Sequence, residues 1–580
     1  LASDEKYEVD LDTYVRARLF DMLLGDWDRH DDQWRWAEFK EEKKGKVIYR
    51  PIPRDRDQVF SIMGDGFLMG TVTRVLPSLR LMEGFDEEIR SVKGFNSSPK
   101  TFSLDMLLLP ETTEEQWIAQ AKQIQQRIDT ETVDRALGQF PMEIQDETNA
   151  WIKKALLSRK NDLVETAKEY FKVINRISVV IGTDKDDYFQ IEDLGKGSTK
   201  VEGYRIIKGK KEVKFFDKTY HRKTTKEIWI YGLDDRDEFK VIGNSERGPK
   251  IRLIGGLNND VYDISKRRQV FVYDYKSKKN TFKSKNGKIR RDDDYEINTY
   301  NPFNVKEDQN IFLPFIGFNP DDGIQLLATN TYIHNGFIKD PFTSQHKISA
   351  GFYFATSGFD ISYQGDFARF IGKGFLRIRA TLTSPNFTTN FFGLGNETPN
   401  FDDDIDLDFN RVKIETFAFE PSLVWNGEHG SSFSIGASYE QVSVEETENR
   451  FIETFYDANP NIDNDNDFLG VHSEYSYENL NNKAFPTLGL SFALKSGYKW
   501  NISDGDDAFG YIIPELDFHY PLLSSGSIIF SSRLGGQINF GDDFQFFQGA
   551  NLGAENGLRG YRFQRFTGKR SFYQSSDLKI

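Results

Sequence analysis

From about residue 310 to the C-terminus the chain is a succession of segments in which apolar and polar residues alternate, separated by turns and long loops. A strand with period-two alternation has one wet and one dry face, and a run of such strands must bury the dry faces together or against lipid. Ile348-Ser349-Ala350-Gly351-Phe352-Tyr353-Phe354 shows the pattern, as does Phe375-Leu376-Arg377-Ile378-Arg379-Ala380-Thr381-Leu382, with Arg377 and Arg379 on one side. A soluble sandwich or barrel and a membrane barrel both satisfy it. Helical membrane crossing is excluded, because no stretch approaches the roughly 20 apolar residues that a spanning helix needs. The 50 Phe and 46 Gly concentrate after residue 310, where aromatic girdles and turn glycines of a membrane wall belong. Arginines facing lipid would be costly, so Arg377 and Arg379 are expected on a polar inner face.

About twelve strands are expected, near 311–318, 324–334, 344–356, 358–370, 374–384, 411–425, 431–446, 467–480, 483–500, 509–523, 526–541 and 571–580. Long connections follow the fifth, seventh and eleventh, and short ones the sixth and tenth. In an outer-membrane barrel short turns face the periplasm and long loops face outward, which places the N-terminal region in the periplasm.

The rest of the chain reads as two further domains. Residues 1–175 are mostly helical: Tyr14, Leu19, Met22 and Leu23 share a helical face that ends at Gly25, a C-cap. An extended pair follows, Trp34 to Phe39 and Val47 to Ile52, around a charged turn at Lys43 to Lys46, and Glu114 to Asn175 is helical again. Residues 176–300 form a small β-rich linker domain with strands at Val179 to Gly182, Phe189 to Glu192, Val201 to Ile207 and Lys226 to Tyr231. Two segments echo each other there, Ile230-Tyr231-Gly232-Leu233-Asp234-Asp235 and Ile254-Gly255-Gly256-Leu257-Asn258-Asn259-Asp260. The spacing of Gly232 and Gly256 suits successive rungs of a β-solenoid. The second echo resembles the calcium turns of repeat toxins, which makes Asn258 and Asp260 candidate Ca2+ ligands; a plain Asx-rich turn explains the same residues. Residues 267–305 look like a polar connector. The barrel is assigned to 301–580.

Composition removes other chemistries. A net charge of −15 argues against nucleic-acid binding, and the absence of cysteine removes disulfides, thiolate metal sites and a thiol nucleophile. The seven histidines lack metal-ligand spacing. Leu1 to Lys6 has neither a basic n-region nor an apolar core, so no signal peptide is read there.

The most specific motif of the barrel is Gly553-Ala554-Glu555-Asn556-Gly557-Leu558-Arg559-Gly560-Tyr561-Arg562-Phe563. Leu558, Arg559, Gly560 and Tyr561 resemble the Val/Ile-Arg-Gly-Phe/Tyr motif of BamA/TamA-like outer-membrane barrels, the bacterial surface-antigen family. The resemblance implies a loop folded into the lumen, with Arg559 pairing with a carboxylate of the wall. Asn390-Phe391-Phe392-Gly393-Leu394-Gly395-Asn396-Glu397 also resembles a segment of such barrels. Because those barrels have sixteen strands and about twelve are read here, the expectation is a truncated barrel.

A second resemblance lies upstream. Asp26-Trp27-Asp28-Arg29-His30-Asp31-Asp32-Gln33-Trp34, followed by Pro51-Ile52-Pro53-Arg54-Asp55-Arg56-Asp57, is similar to the catalytic and metal loops of atypical kinases of the HipA and CotH kind. It implies a helical kinase-like C-lobe with Asp28 and His30 as catalytic residues and Gln33, Asp55 and Asp57 as metal ligands, with Mg2+ and a nucleotide as cofactors. A charge-paired scaffold, in which Arg29 pairs with Asp55 or Asp57 and His30 is a buried donor, is the alternative.

The fold class expected is therefore multidomain α+β: a helical lobe, a β-rich linker and an antiparallel transmembrane barrel. The function expected is assembly or export of outer-membrane proteins, with lipid and client proteins as partners and a kinase-like module that is inactive as it stands. A membrane-anchored phosphotransferase is the alternative, and a passive channel would leave Arg559 and the N-terminal half unexplained.

Overall fold

The computed structural model describes residues 6–41, 46–62, 70–73, 84–96, 99–243, 247–265, 269–284, 286–306, 308–319, 322–337, 341–503 and 507–580. The chain divides into two compact units, Leu1–Lys306 and Glu307–Ile580.

The first unit opens with β1 (Tyr7–Val9) and a helix at Leu11–Leu24. Asp10 caps that helix through a bond from the Thr13 amide, and Gly25 ends it at φ 76°, a left-handed conformation open to glycine. Tyr14, Val15, Leu19, Met22 and Leu23 are buried on one face. A loop leads into the hairpin of β2 (Trp34–Glu41) and β3 (Lys46–Pro53), with β1 parallel to β3. Lys43, Lys44 and Gly45 of the expected turn lie outside the described residues. Four helices follow, Pro99–Leu108, Glu114–Arg127, Thr130–Leu137 and Glu147–Ile174. The last is long enough to bury Ile152, Ala155, Leu163, Ala167, Tyr170 and Ile174 at helical spacing against Trp34, Trp117 and Ala121.

The helical part is followed by a parallel two-walled solenoid. One wall is β4 (Ile177–Ile181), β8 (Glu227–Leu233), β10 (Lys250–Gly256), β12 (Val270–Asp274) and β14 (Lys288–Arg291), each parallel to its neighbour. The other is β5 (Asp187–Gly195), β9 (Glu238–Ile242), β11 (Val261–Ile264) and β13 (Thr281–Phe282), extended beyond β5 by the antiparallel β6 (Ser198–Ile207) and β7 (Lys210–His221). Two side-chain ladders join the rungs. Phe189, Phe239, Tyr262 and Phe282 stack at 5.3, 5.2 and 5.1 Å. Beside them the amides of Asp187, Asp237 and Asp260 each donate to the carboxylate or amide oxygen one rung on, at Asp237, Asp260 and Asn280, every bond 2.8 Å.

These ladders correct the expected repeat. Leu233 pairs with Gly256, so the counterpart of Gly232 is Gly255 and the period is 23 residues. The reason is steric: a Cβ at Gly232 would strike the Asp237 carboxylate, and one at Gly255 would strike that of Asp260. The lysine-rich stretch 267–305 is not a plain connector either. It carries β12, β13 and β14, rungs of two to five residues that are too short to show a period.

The second unit is an antiparallel sheet whose path runs β15 (Gln309–Asn319), β16 (Gly323–His334), β17 (Ser344–Tyr353), β18 (Gly358–Ile371), β19 (Gly374–Thr383), β21 (Arg411–Asn426), β22 (Ser431–Glu445), β23 (Asp465–Leu480), β24 (Gly489–Asn501), β25 (Ala508–Pro521), β26 (Ile529–Phe540) and β29 (Arg570–Lys579). The three-residue β20 (Thr388–Asn390) adds a thirteenth strand beside β21; it is too short to announce itself by alternation. Exposed apolar residues line up across the strands: Leu326 opposite Phe352, Phe352 opposite Phe359, Ile361 opposite Leu382, Leu469 opposite Trp500. An exposed apolar surface that continues over a whole sheet belongs against lipid rather than water. The opposite face is charged and paired, with Arg379 opposite Glu420, Glu474 opposite Lys495, and Lys499 bonded to Glu440.

Candidate functional site

Two places bring the motif residues together, one in each unit.

In the first unit, the loop after Gly25 and the turn after β3 are held side by side by a single buried guanidinium. Arg29 donates to the carbonyls of Arg54 (2.6 Å), Asp55 (2.8 Å) and Gln33 (3.3 Å), and the Arg54 amide returns a bond to the Gln33 carbonyl at 2.8 Å. Its charge is met by Asp21 at 3.3 Å and Asp26 at 3.4 Å, and its plane lies 4.8 Å over Trp34. Arg29 therefore pairs with neither the Asp55 nor the Asp57 side chain, as the scaffold alternative supposed. Arg56, between those two aspartates in sequence, turns inward to Asp21 at 2.6 Å. Burial, with the neighbouring Asp21 charge, pushes the Asp26 carboxyl up to about 7 against the pull of Arg29 and Arg56.

Above this buried base lie the expected site residues. His30 Nε2 is 4.0 Å from Asp28 and 3.3 Å from the Gln33 amide nitrogen, which in turn is 3.4 Å from the Asp55 carboxylate. Asp28, His30, Gln33 and Asp55 thus form one line of contacts, and Asp55 is held at φ 49°. His30 is partly exposed and is not a fully buried donor. Asp57 sits exposed on the turn outside that line. His30, Asp31 and Asp32 can also bring one ligand atom each within 4.8 Å of one another. A carboxylate and an amide oxygen are hard donors of the kind magnesium takes, so Gln33 and Asp55 fit that ion by residue type, with the Gln33 amide nitrogen turned toward Asp55 here.

Asn258 and Asp260 have separate tasks. The Asn258 amide donates to Asp234 at 2.7 Å, whereas Asp260 is buried between rungs and accepts the Asp237 amide. This hydrogen bonding is what a plain Asx-rich turn provides. The ladder carboxyls are strongly perturbed instead: burial pushes Asp260 up to about 7, helped by the charge of Asp274, and burial raises Asp187 and Asp274 to about 6.

In the second unit, the loop between β26 and β29 contains the short pair β27 (Ala550–Leu552) and β28 (Phe566–Gly568) and returns along the segment after β19. Arg559 forms two bonds of 3.1 Å to the carboxylate of Asp577 on β29, with three quarters of its side chain exposed. Leu558 accepts the Tyr561 amide at 3.3 Å, Gly560 takes φ 88°, and Tyr561 packs on Phe566 at 5.6 Å. The residues that clasp the 390–402 segment are others. Arg562 pairs with Asp402 and reaches the Leu407 carbonyl and Asn390; Arg565 bonds Thr398 at 2.8 Å and its carbonyl at 2.6 Å. Both guanidiniums lie over the buried ring of Phe392, at 5.6 and 4.7 Å. The only signal available in sequence was that both segments resembled the same family.

Phe391, next to Phe392, belongs to a small core packed on Val412 and Ile414 of β21 and Val442 and Val444 of β22. It meets Phe546 at 4.4 Å and Phe455 at 5.0 Å, the latter on the helix Phe451–Ala458 between β22 and β23. Arg379, Glu420, Glu440, His472, Lys495 and Gln548 line part of a cavity of about 360 Å³ on the charged face.

The comparisons with known proteins fall on this unit. Residues 344–577 match the Omp85 superfamily domain. Among solved structures the chain is similar to BamA from Haemophilus ducreyi lacking POTRA domains 1-3, at 14% identity over 45% of this chain and 47% of that one, TM-score 0.35. It is also similar to the NanC porin, at 6% identity over 47% of this chain and 98% of that one, TM-score 0.21. The chain thus spans less than half the length of the BamA structure. No curated protein matches it. The domain match falls on the sheet with the continuous apolar face and supports an outer-membrane barrel there.

Proposed function

We propose that the chain works in the assembly or export of outer-membrane proteins, with its first unit in the periplasm and a kinase-like loop that is inactive as it stands. The observation that carries this reading is the Omp85 domain match over 344–577, the stretch that holds both the Arg559–Asp577 pair and the Arg562–Phe392–Arg565 clasp. In this reading client strands pair along a sheet edge, and the clasped loop holds the wall in shape beside them. No turnover is required. The test is reconstitution in lipid vesicles with an unfolded outer-membrane client, following the heat-modifiable mobility of the folded product. Wild type accelerates client folding and Arg562→Ala loses most of that acceleration; vesicles with and without the chain folding the client equally fast would overturn the reading.

A phosphotransferase is the second reading, favoured by the line of contacts Asp28–His30–Gln33–Asp55 between a helix and an antiparallel hairpin. Asp28 would accept the proton of an acceptor hydroxyl, and Gln33 and Asp55 would hold magnesium, which supplies charge neutralisation at the phosphates. Transfer of labelled phosphate from ATP to a protein or lipid acceptor, abolished in both Asp28→Asn and Asp55→Ala, would select it.

A further inference from the structure

The solenoid presents a cationic face that neither reading uses. On the wall of β8, β10, β12 and β14, Ile228, Ile251, Val270, Val272 and Ile289 point into the core, so the alternate residues point out. In register across that outer face lie Arg252, Phe271 and Lys288, and two residues further along the strands Tyr273 and Arg290. The Phe271 ring on β12 gathers four cations from the strands on either side of it: Arg290 at 5.2 Å, Arg252 and Lys288 at 5.3 Å, and Lys250 at 6.0 Å. Glu227 neutralises Lys250 at 2.6 Å and Arg252 at 2.8 Å. Lys288 and Arg290 are exposed and have no carboxylate partner among the described residues, and Arg291 beside them is exposed as well.

Charged residues on an edge strand can serve simply to prevent strands of other molecules from pairing with it. That explains Lys288 and Arg290 singly. It does not explain why both lie over the Phe271 ring, whose other side is already occupied by Lys250 and the buried Arg252, each paired with Glu227. In a chain of net charge −15 the excess of positive charge on one flat face is complementary to a plane of anionic groups. A flat array at strand spacing matches many phosphates held side by side better than one ligand in a pocket. β14 ends at Arg291, and the first strand of the sheet read as transmembrane begins at Gln309. Connectivity therefore keeps this face on a short tether to a bilayer, which raises the effective concentration of headgroups around it.

We propose that Lys288 and Arg290, exposed beside the Phe271 ring with Lys250 at its other side, dock on anionic phospholipid headgroups. The proposal rests on reading the second unit as membrane-embedded. The test uses the full chain in neutral detergent, titrated calorimetrically with dihexanoyl phosphatidylglycerol, dihexanoyl phosphatidylcholine and inorganic phosphate. Expected is binding of the glycerol lipid at least ~10-fold tighter than of the choline lipid, weakening as salt is raised. Lys288→Gln/Arg290→Gln, both at exposed positions, should reduce that preference at least ~5-fold, and Lys288→Glu/Arg290→Glu should abolish it. Equal affinity for the two lipids, a preference unchanged in both variants, or inorganic phosphate binding as tightly as the glycerol lipid would each overturn the proposal. An acidic peptide competing at lower concentration than the lipid would overturn it in favour of a protein partner. A second unit that stays soluble and monomeric without detergent would instead sink the membrane reading, so the two failures are distinguishable.

Discussion

The Arg29 guanidinium donates to the main-chain carbonyl of Asp55 at 2.8 Å while its Nε lies 3.3 Å from the carboxylate of Asp21. One buried cation therefore couples the base of the first helix to the turn that carries the candidate metal ligand. Because the cluster is buried, removing this cation leaves Asp21 to Arg18 and Arg56 and Asp26 to Arg56 at 3.9 Å, and takes the donor from three main-chain carbonyls. Arg29→Ala should destabilise the first unit by ~3–5 kcal/mol, read from urea unfolding followed by tryptophan fluorescence. Arg29→Lys should recover only a minor part, since an ammonium cannot reach three carbonyls and two carboxylates at once. A midpoint for Arg29→Ala within error of wild type would show that the network is not coupled to folding.

Nucleotide binding is the second expectation. The Gln33 amide nitrogen faces Asp55, an arrangement that satisfies the carboxylate without a cation. Calorimetry of the full chain with ATP and magnesium should show no binding tighter than ~1 mM, with Asp55→Ala indistinguishable from wild type. Micromolar affinity that disappears in Asp55→Ala would reverse the reading in favour of the phosphotransferase.

The solenoid should respond to pH in a defined direction. Burial, with the Asp274 charge beside it, raises Asp260 from the usual carboxylate range to about 7. The folded state therefore holds this proton more tightly than the unfolded chain. The resulting stabilisation is complete below about pH 4 and is lost as pH rises toward 7, with a slope of up to ~1.4 kcal/mol per pH unit. Asp260→Asn keeps an oxygen for the Asp237 amide and removes the titration. The difference in unfolding free energy between wild type and Asp260→Asn should accordingly move against wild type from pH 5 to pH 8. A difference constant with pH would mean that Asp260 does not titrate in that range.

The two arginines of the long loop should behave differently. Arg562 is mostly buried and bonds three residues of the opposite segment, whereas Arg559 makes an exposed pair with Asp577. Arg562→Ala should speed hydrogen exchange of the amides in 553–568 by at least ~10-fold, consistent with a loss of ~1.5–3 kcal/mol for charge-assisted bonds. Arg559→Ala should change them by less than ~5-fold, as exposed pairs contribute at most ~1 kcal/mol. The reverse ranking would show that the exposed pair is the anchor.

Much was legible in the sequence because the signals were local. The alternation of Phe375 to Leu382, the glycine cap at Gly25 and the paired strands around residues 34–52 depend on period and turn chemistry alone, and the positions of the long loops follow from them. What tertiary structure decided was which long-range partners meet. The repeat register passed from Gly256 to Gly255 because only a parallel stack shows which glycine abuts a carboxylate. Arg29 chose Asp21, Asp26 and three carbonyls over the side chains of Asp55 and Asp57, and Arg562 rather than Arg559 found Phe392, since burial and direction of a side chain are set by packing between distant segments. Periodicity specifies which face of an element is dry; it carries no information about which dry or charged face it will meet, and that choice is made only when the chain closes on itself.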